Sequence, residues 1–274
     1  MGKPTKRSVD VVPVTSSSPA VLPKEQAELF RDVLSWFEKS GKPYAVAGAF
    51  ALREHTGICR YTKDLDIFLS TENATEALAC LQRHGFECEV CDPIWLAKAH
   101  RGEFFVDLIT GMSNGVISVD SSWIERAIPA NILDIDSRVL AIEELIVSKL
   151  FVTRRERFDG GDIAHLVYGS RGKVNWDRVM ELTGEHWEVL LWNLMLFHYV
   201  YPAHADLVPK ALWEDLMARF AKEVRSPDPK AKFRGSLIDN AIFAIDVEEW
   251  GLDDVLAESR SRRTQIQLPV RRSA

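Results

Sequence analysis

The sequence predicts an α+β fold, with a small mixed sheet in the first half of the chain and helices in the second. Two observations favour this fold class. Up to about residue 132, short apolar runs of strand length alternate with helical segments, and glycine or proline separates many of them. Beyond that point, apolar residues recur mainly at helical spacing. We therefore expect an α/β domain at residues 24–135 and a helical domain at residues 136–224.

The α/β half begins with a predicted helix at residues 23–39, where apolar side chains recur at helical spacing. A strand at residues 44–47 follows, and Gly48 marks the turn from this strand into a second helix. The remaining expected elements are strands at 65–69, 86–90 and 104–109, a helix that Thr71 caps and Gly85 ends, and a strand or helical turn at 94–99.

The second half is predicted to contain five helices, at residues 139–155, 162–168, 176–183, 187–201 and 209–224. The most apolar of these is interrupted by Asn193 and His198, and it is too short to cross a bilayer. Because no apolar leader is visible near Met1 either, we expect a cytoplasmic protein without membrane contact.

The two ends of the chain differ in composition from these domains. Residues 1–23 are rich in Ser, Pro and Val, which predicts a disordered tail. Residues 225–274 begin with a charged, Pro-containing linker and continue with a small segment that we expect to dock on the body. The chain then ends in a predicted basic, disordered tail that contains Arg260, Arg262, Arg263, Arg271 and Arg272.

Charge and cysteine content restrict the classes of function. The formal net charge of -6 gives no indication of a broad basic surface for duplex nucleic acid. Cys88 and Cys91 form a CxxC pair, but no second pair stands at the spacing of a zinc site. Free thiols in a reducing compartment are therefore the favoured interpretation of the four cysteines.

The strongest functional pattern is an Asp-x-Asp at the start of the strand predicted at residues 65–69. Successive strand residues point to opposite faces, so Asp64 and Asp66 project to the same side of the sheet. Two adjacent carboxylates repel each other, and they are expected mainly where a cation bridges them. Mg²⁺ fits this role because it prefers oxygen ligands and is usually held by a few carboxylates and substrate phosphates.

Two further residues extend this pattern. Asp107 stands alone in the apolar run at residues 104–109, where an isolated carboxylate is costly to bury without a partner. If that strand lies beside the first one, three carboxylates face one cleft and can hold two metal ions. Gly48 lacks a Cβ, so a phosphate can approach the backbone at the N-terminus of the following helix.

The order Gly48-Ala49, Asp64-Leu65-Asp66-Ile67 and Asp107 resembles the nucleotidyltransferase superfamily related to polymerase beta. Ala49 stands where that superfamily usually has Gly or Ser, which removes a hydroxyl contact to phosphate and keeps the backbone contact. The preceding stretch Arg60-Tyr61-Thr62-Lys63 matches the R-x-T-x-D-h-D form of uncharacterised bacterial members.

The stretch at residues 139–168 resembles the second half of the AbiEii-like nucleotidyltransferases, the toxin component of type IV toxin–antitoxin and abortive-infection systems. In that family, a helix with a lysine precedes an Arg-x-Lys-Asp-x-x-Asp segment. Lys149 matches the lysine, and Asp159 and Asp162 match the two acidic positions, while Phe158 replaces the second basic residue. Lys149 lies among apolar residues, so it is expected either to reach a triphosphate or to extend to solvent.

These resemblances imply an enzyme that transfers a nucleoside monophosphate from an NTP to a hydroxyl or phosphate acceptor and releases pyrophosphate. They imply that Asp64 and Asp66 bind Mg²⁺ or Mn²⁺, and that Asp107 binds one ion and accepts the proton of the acceptor. Lys149 and Asp162 are further candidate catalytic residues. The residues expected to contact the nucleotide phosphates are Gly48, Ala49, Lys63 and Lys149.

The acceptor stays open among tRNA, protein, an antibiotic and other small molecules, and an antitoxin partner would accompany a toxin. A nucleotide-sugar glycosyltransferase also uses Asp-x-Asp, but it needs a longer unit before the motif than the roughly forty ordered residues here. The remaining alternative is a catalytically silent protein of the same fold that acts as a binding or regulatory partner.

Overall fold

A computed structural model of the protein describes residues 22–268. Nearly all of the predicted N-terminal tail lies outside this range, as do Arg271 and Arg272 of the predicted basic tail. Within residues 22–268, the four cysteines are free thiols, and no helix is long and apolar enough to cross a membrane.

One mixed sheet of seven strands organises the first half of the chain. Across the sheet, the strands lie in the order β3-β4-β5-β2-β1-β7-β6 and have the bounds β1 (Ala45–Val46), β2 (Asp64–Phe68), β3 (Glu87–Asp92), β4 (Leu96–Arg101), β5 (Phe104–Ile109), β6 (Ile128–Ile132) and β7 (Ile135–Val139). Strand β5 runs parallel to β2 and β7 runs parallel to β1, while the other neighbours are antiparallel.

Four helices belong to this half, namely α1 (Lys24–Ser40), α2 (Gly48–Thr56), α3 (Thr71–Arg83) and α4 (Ser121–Glu125). Helix α1 buries one apolar face, which includes Phe30, against β5 and β7, and α3 packs on β3 and β4. The cap of α3 lies one residue before the predicted one, because the Ser70 hydroxyl accepts from the backbone N–H of Asn73 at 3.3 Å.

The second half contains α5 (Ile142–Lys149), α6 (Gly160–Ser170), α7 (Trp176–Thr183), α8 (Trp187–Val200) and α9 (Lys210–Arg225). A two-stranded ribbon of β8 (Thr153–Arg154) and β9 (Arg157–Phe158) lies between α5 and α6. Helix α6 packs on α2 as well as on α5 and α8, so it joins the helices to the α/β half.

The last part of the described chain holds α10 (Gly235–Asp239), α11 (Ala244–Glu248) and α12 (Leu256–Ser261). Arg260 binds both carboxylate oxygens of Asp92 at 2.9 and 3.1 Å, and Arg263 donates to the backbone oxygens of Gly115 and Val116. The prediction that these two arginines lie in a disordered tail is therefore wrong, because their guanidinium groups fasten the segment to the sheet domain.

The predicted α+β fold class is confirmed, and several elements differ from their predicted form. The predicted helix at residues 139–155 is shorter, because β7 ends at Val139 and the ribbon starts at Thr153. The β6–β7 hairpin was not predicted, because Leu133 and Asp134 adopt positive φ angles of 52° and 68° without the glycine that usually marks such a turn.

Candidate active site

Strands β2 and β5 bring the three predicted carboxylates together. In their parallel register, Asp66 is the direct neighbour of Asp107. Asp64 lies two residues before Asp66 on the same face of β2, so the three side chains converge. One carboxylate oxygen of each residue lies within 4.8 Å of those of the other two. Both conditions set by the sequence, a shared face and neighbouring strands, are met.

The local sequence explains why these carboxylates point away from the core. Leu65 and Ile67 alternate with the aspartates on β2 and are fully buried. Because these apolar side chains face the core, the aspartates point to the opposite face of the sheet. The hydroxyl of Thr62 donates to the backbone oxygen of Asp64 at 2.8 Å and to its Oδ1 at 3.0 Å. This contact holds the first carboxylate in place at the start of the strand.

The charges in this cluster are not balanced. Burial, followed by repulsion from Asp64 and Asp107, raises the pKa of Asp66 to about 7. Burial also raises the pKa of Asp107, although Lys98 opposes that shift through a hydrogen bond from Nζ to Oδ1 of 2.6 Å. Lys98 is the neighbour of Asp107 on β4, and its ammonium lies 3.8 Å from the centre of the Phe105 ring.

A divalent cation suits this donor set. All three groups offer hard oxygen ligands at close range, and a bound cation would relieve the repulsion that raises the pKa of Asp66. Sulfur and imidazole are absent from the cluster, which favours Mg²⁺ or Mn²⁺ over Zn²⁺. The three residues Asp64, Asp66 and Asp107 would hold the ion.

Gly48 is required by the position of Asp66. Its φ angle is +57°, and a Cβ on this residue would lie 1.8 Å from Oδ2 of Asp66. Gly48 lines the cleft of the carboxylates at the N-terminus of α2, as the sequence predicted, whereas Ala49 does not line it. Lys63 lies directly before β2 and is exposed. Phosphate contacts of these residues remain predictions.

Lys149 lies at the end of α5, and its side chain is only 7% exposed. Its ammonium forms ion pairs with Asp159 at 2.8 Å and with Asp162 at 2.9 Å. Burial lowers the pKa of Lys149, but the two carboxylates outweigh this effect and raise it. The lysine therefore does not extend to solvent. A direct contact with phosphate stays a prediction, and the structure adds a role in organising the acidic pair.

Two arginines that the sequence analysis did not select complete this network. Arg157 on β9 donates from Nε and Nη2 to the two carboxylate oxygens of Asp159, both at 3.0 Å. Arg60, which precedes β2, contacts Asp162. The side chain of Arg157 is 69% exposed, lines the cleft and lies close enough to Asp66 for the two charges to influence each other.

The sequence contained one indication of this role. The stretch Arg154-Arg155-Glu156-Arg157 is rich in arginine, but Arg154 and Arg155 were assigned to the end of the helix predicted at residues 139–155, and no element was predicted for Glu156 and Arg157. The short ribbon β8–β9 instead brings Arg154 and Arg157 to the wall of the cleft.

Comparison with known proteins gives a likeness of fold only. No family model and no curated protein match the chain. The antibiotic-resistance factor ANT(2'')-Ia is 15% identical and has a TM-score of 0.43, with coverage of 65% of this chain and 99% of that one. For the lincosamide antibiotic adenylyltransferase LnuA, the identity is 17% and the TM-score 0.38, with 54% and 98% covered.

A third similar structure is an antigenic nucleotidyltransferase-like protein from Paracoccidioides brasiliensis, with 15% identity, a TM-score of 0.41 and coverage of 69% of this chain and 94% of that one. These similarities are too remote to transfer an activity or a substrate. Functional inference therefore rests on the residues of the site itself.

Proposed function

We propose that the protein is a metal-dependent nucleotidyltransferase that uses Mg²⁺ or Mn²⁺ and an NTP. The observation that carries this proposal is the set of three carboxylates on the parallel strands β2 and β5, with Asp66 and Asp107 in direct register. Their mutual repulsion costs stability in the absence of a cation, and burial and this repulsion outweigh the stabilising charges of Lys149 and Arg157 at Asp66. Such a cost is expected where a site has a ligand to bind.

Each residue has a role in this reaction. Asp64 and Asp66 would hold the metal ions together with the triphosphate, and Asp107 would hold one ion. When bound, the ions polarise the α-phosphate and neutralise the charge that develops on it. A new bond forms between the acceptor oxygen and the α-phosphorus, the bond to pyrophosphate breaks, and Asp107 accepts the proton of the acceptor. Most of the rate gain comes from positioning and charge neutralisation.

The phosphates would lie between α2 and the ribbon. Gly48 at the N-terminus of α2 and Arg157 on β9 both line the cleft. Because Arg157 is exposed and held by Asp159, it can contact a triphosphate without first breaking a buried ion pair. Lys149 would act through Asp159 as a positioning residue, and its direct contact with phosphate is the alternative role.

The finer parts of the proposal concern the biological setting. The match of Lys149, Asp159 and Asp162 to the AbiEii-like pattern supports a toxin-type enzyme with an antitoxin partner, acting on tRNA or protein. A catalytically silent regulator of the same fold would also bind an NTP, but it would not release pyrophosphate. The presence of all three carboxylates favours the enzyme.

Calorimetry with each of the four NTPs tests the proposal. Binding should be tight with Mg²⁺ or Mn²⁺ and should be lost in EDTA, because the carboxylates and the triphosphate repel each other without a cation. Equal affinity in EDTA would contradict the site. Release of pyrophosphate from the bound NTP on addition of cell extract then separates the enzyme from the silent protein.

A further inference from the structure

A second pocket opens beside the catalytic cleft, and the two share Trp95, Ser113 and Arg154. It has a volume of about 400 Å³, which is in the range of small-molecule sites. Its far wall comes from the C-terminal segment and includes Asn240 and Leu256. A molecule in this pocket would lie next to the nucleotide site, with the shared residues between the two.

The wall formed by the C-terminal segment is held firmly. The Arg260 guanidinium binds both oxygens of Asp92 and also donates to the backbone oxygen of Ser113. The Asn114 side chain donates to the backbone oxygen of Leu237 at 3.0 Å. Contacts of this kind connect the segment with the end of β3 and with the loop after β5. The pocket therefore has a fixed shape.

The charges at the pocket favour an anion. Asp92 is the one carboxylate among the lining residues, and Arg260 already binds it through both oxygens. Asp239 lies near Arg154, but its oxygens accept the backbone N–H groups of Arg155, Ala241 and Ile242. Arg154 is exposed, donates to the Ser113 hydroxyl and forms no ion pair within the described residues.

We propose that this second pocket is the acceptor subsite and that it takes a small hydroxylated acceptor whose phosphate or carboxylate pairs with Arg154. The inference rests on the proposed nucleotidyl transfer and assigns it a small-molecule acceptor in place of the tRNA or protein acceptor of a toxin-type enzyme. A polycationic acceptor would meet the Arg154 guanidinium and find no free carboxylate in the wall. An anionic one gains charge-assisted hydrogen bonds at the boundary with the cleft, where its hydroxyl can face the α-phosphate.

Ligand-observed NMR with glycerol 3-phosphate as the probe tests this subsite. The protein is first saturated with Mg²⁺ and a non-hydrolysable ATP analogue, so that the probe cannot occupy the triphosphate site. Saturation transfer should reach glycerol 3-phosphate and should be much weaker for glycerol, which has hydroxyls but no charge. Spermidine serves as the cationic probe. Any saturation transfer to spermidine should be the same in the wild type and in a variant whose pocket is filled.

Three variants locate the binding. Arg154→Gln should weaken binding of glycerol 3-phosphate about tenfold or more, since it removes a charge-assisted contact. Asn240→Trp fills the pocket from its far wall and should abolish probe binding while leaving affinity for the ATP analogue unchanged. Arg155→Gln is the matched control, because it removes an exposed arginine beside the pocket and should bind the probe like the wild type.

Several outcomes would overturn the inference. The first is that glycerol 3-phosphate does not bind, and the second is that Arg154→Gln binds it as well as the wild type does. The third is that Arg154→Gln loses affinity for the ATP analogue, because Arg154 would then contact the triphosphate. Spermidine binding that Asn240→Trp removes would also contradict it. If the wild type fails to bind the Mg²⁺–nucleotide complex at all, the proposed nucleotidyl transfer fails, which is a separate result.

Discussion

Two clusters of charged residues contribute side chains to the same cleft, and they differ in how their charges are compensated. On the sheet, Asp64, Asp66 and Asp107 converge, Lys98 pairs with Asp107, and the pKa of Asp66 rises to about 7. In the helical half, Lys149 is buried and pairs with Asp159 and Asp162, and each of these carboxylates also binds an arginine, Arg157 or Arg60.

This difference suggests different roles for the two clusters: the sheet carboxylates are expected to bind a ligand, and the helical cluster is expected to hold other residues in position. A cluster whose negative charges exceed its positive ones is stabilised by an added cation, which supports the proposed metal site at the sheet carboxylates. A cluster in which every carboxylate is already paired with basic side chains of the chain needs no added cation, so its members can act by holding other residues in place. Lys149 and Asp159 belong to this second kind, and Arg157 is the group that they present to the cleft.

Asp66→Asn should produce the largest functional loss. Replacing one ligand of the unbalanced cluster should lower NTP-dependent turnover about a hundredfold or more, since a charge that acts on the transition state is removed. The melting temperature of the metal-free protein should stay the same or rise, because like-charge repulsion is relieved. Enzyme assays and thermal melts in EDTA measure the two effects.

Asp136→Asn on the exposed part of β7 is the control for this variant and should change neither quantity. A marked drop in the melting temperature of Asp66→Asn would show that Asp66 has a structural role.

Lys149→Met should have the opposite profile, with its largest effect on stability. The substitution removes the cation that the two buried carboxylates share and leaves each with one arginine, which should lower the free energy of unfolding by up to about 3–5 kcal/mol. The sequence alone suggested a small effect, because it left the lysine free to reach phosphate or solvent. Chemical denaturation measures the loss, and Lys173→Met at an exposed position is the control. Unchanged stability together with reduced NTP affinity would instead support a direct contact between Lys149 and the phosphates.

Arg157→Gln should affect nucleotide binding more than stability. Its side chain is largely exposed, and Lys149 still pairs with Asp159 after the substitution. Loss of a charge-assisted contact to phosphate should weaken NTP binding by about ten- to a hundredfold. Calorimetry of Arg157→Gln beside Arg155→Gln measures the difference. If the two variants bind NTP equally well, Arg157 does not contact the nucleotide and acts only through its ion pair with Asp159.

The smallest expected effect is a dependence on pH. The folded pKa of Asp66, about 7, exceeds the ordinary 3.8, so the metal-free folded protein binds an extra proton between these values. The stability from this proton is fully present below the ordinary pKa and is lost as the pH rises through about 7. Because a metal ion must displace the proton, apparent Mg²⁺ affinity should fall about tenfold per pH unit below 7.

Asp66→Asn removes this titrating group and serves as the reference in both measurements. The difference in melting temperature between about pH 5.5 and about pH 7.5 in EDTA should be smaller in the variant than in the wild type. If the melting temperatures of the two proteins change equally with pH, a group other than Asp66 is responsible for the pH dependence.

The three aspartates of the sheet cluster and the residues Lys149, Asp159 and Asp162 of the helical cluster were selected from the sequence, whereas the basic residues Lys98, Arg60 and Arg157 were not recognised as part of either cluster. Alternation of apolar and acidic residues on β2 fixes the common face of Asp64 and Asp66, and the apolar run of β5 makes Asp107 conspicuous. Lys98 and Arg157 depend on which strands pair and where a helix stops, and these are decided by contacts between distant segments. No local pattern in the sequence encodes those contacts.

The register of β2 and β5 has a consequence for folding as well. If β5 slipped by one residue, Asp107 would turn to the side of Leu65 and Ile67, where an unpaired carboxylate would meet an apolar core. A buried carboxylate without a partner carries a large desolvation cost, which the observed register avoids. The residues that repel one another in the finished sheet thus also disfavour its nearest misaligned competitor, and they favour the pairing that forms the proposed metal site.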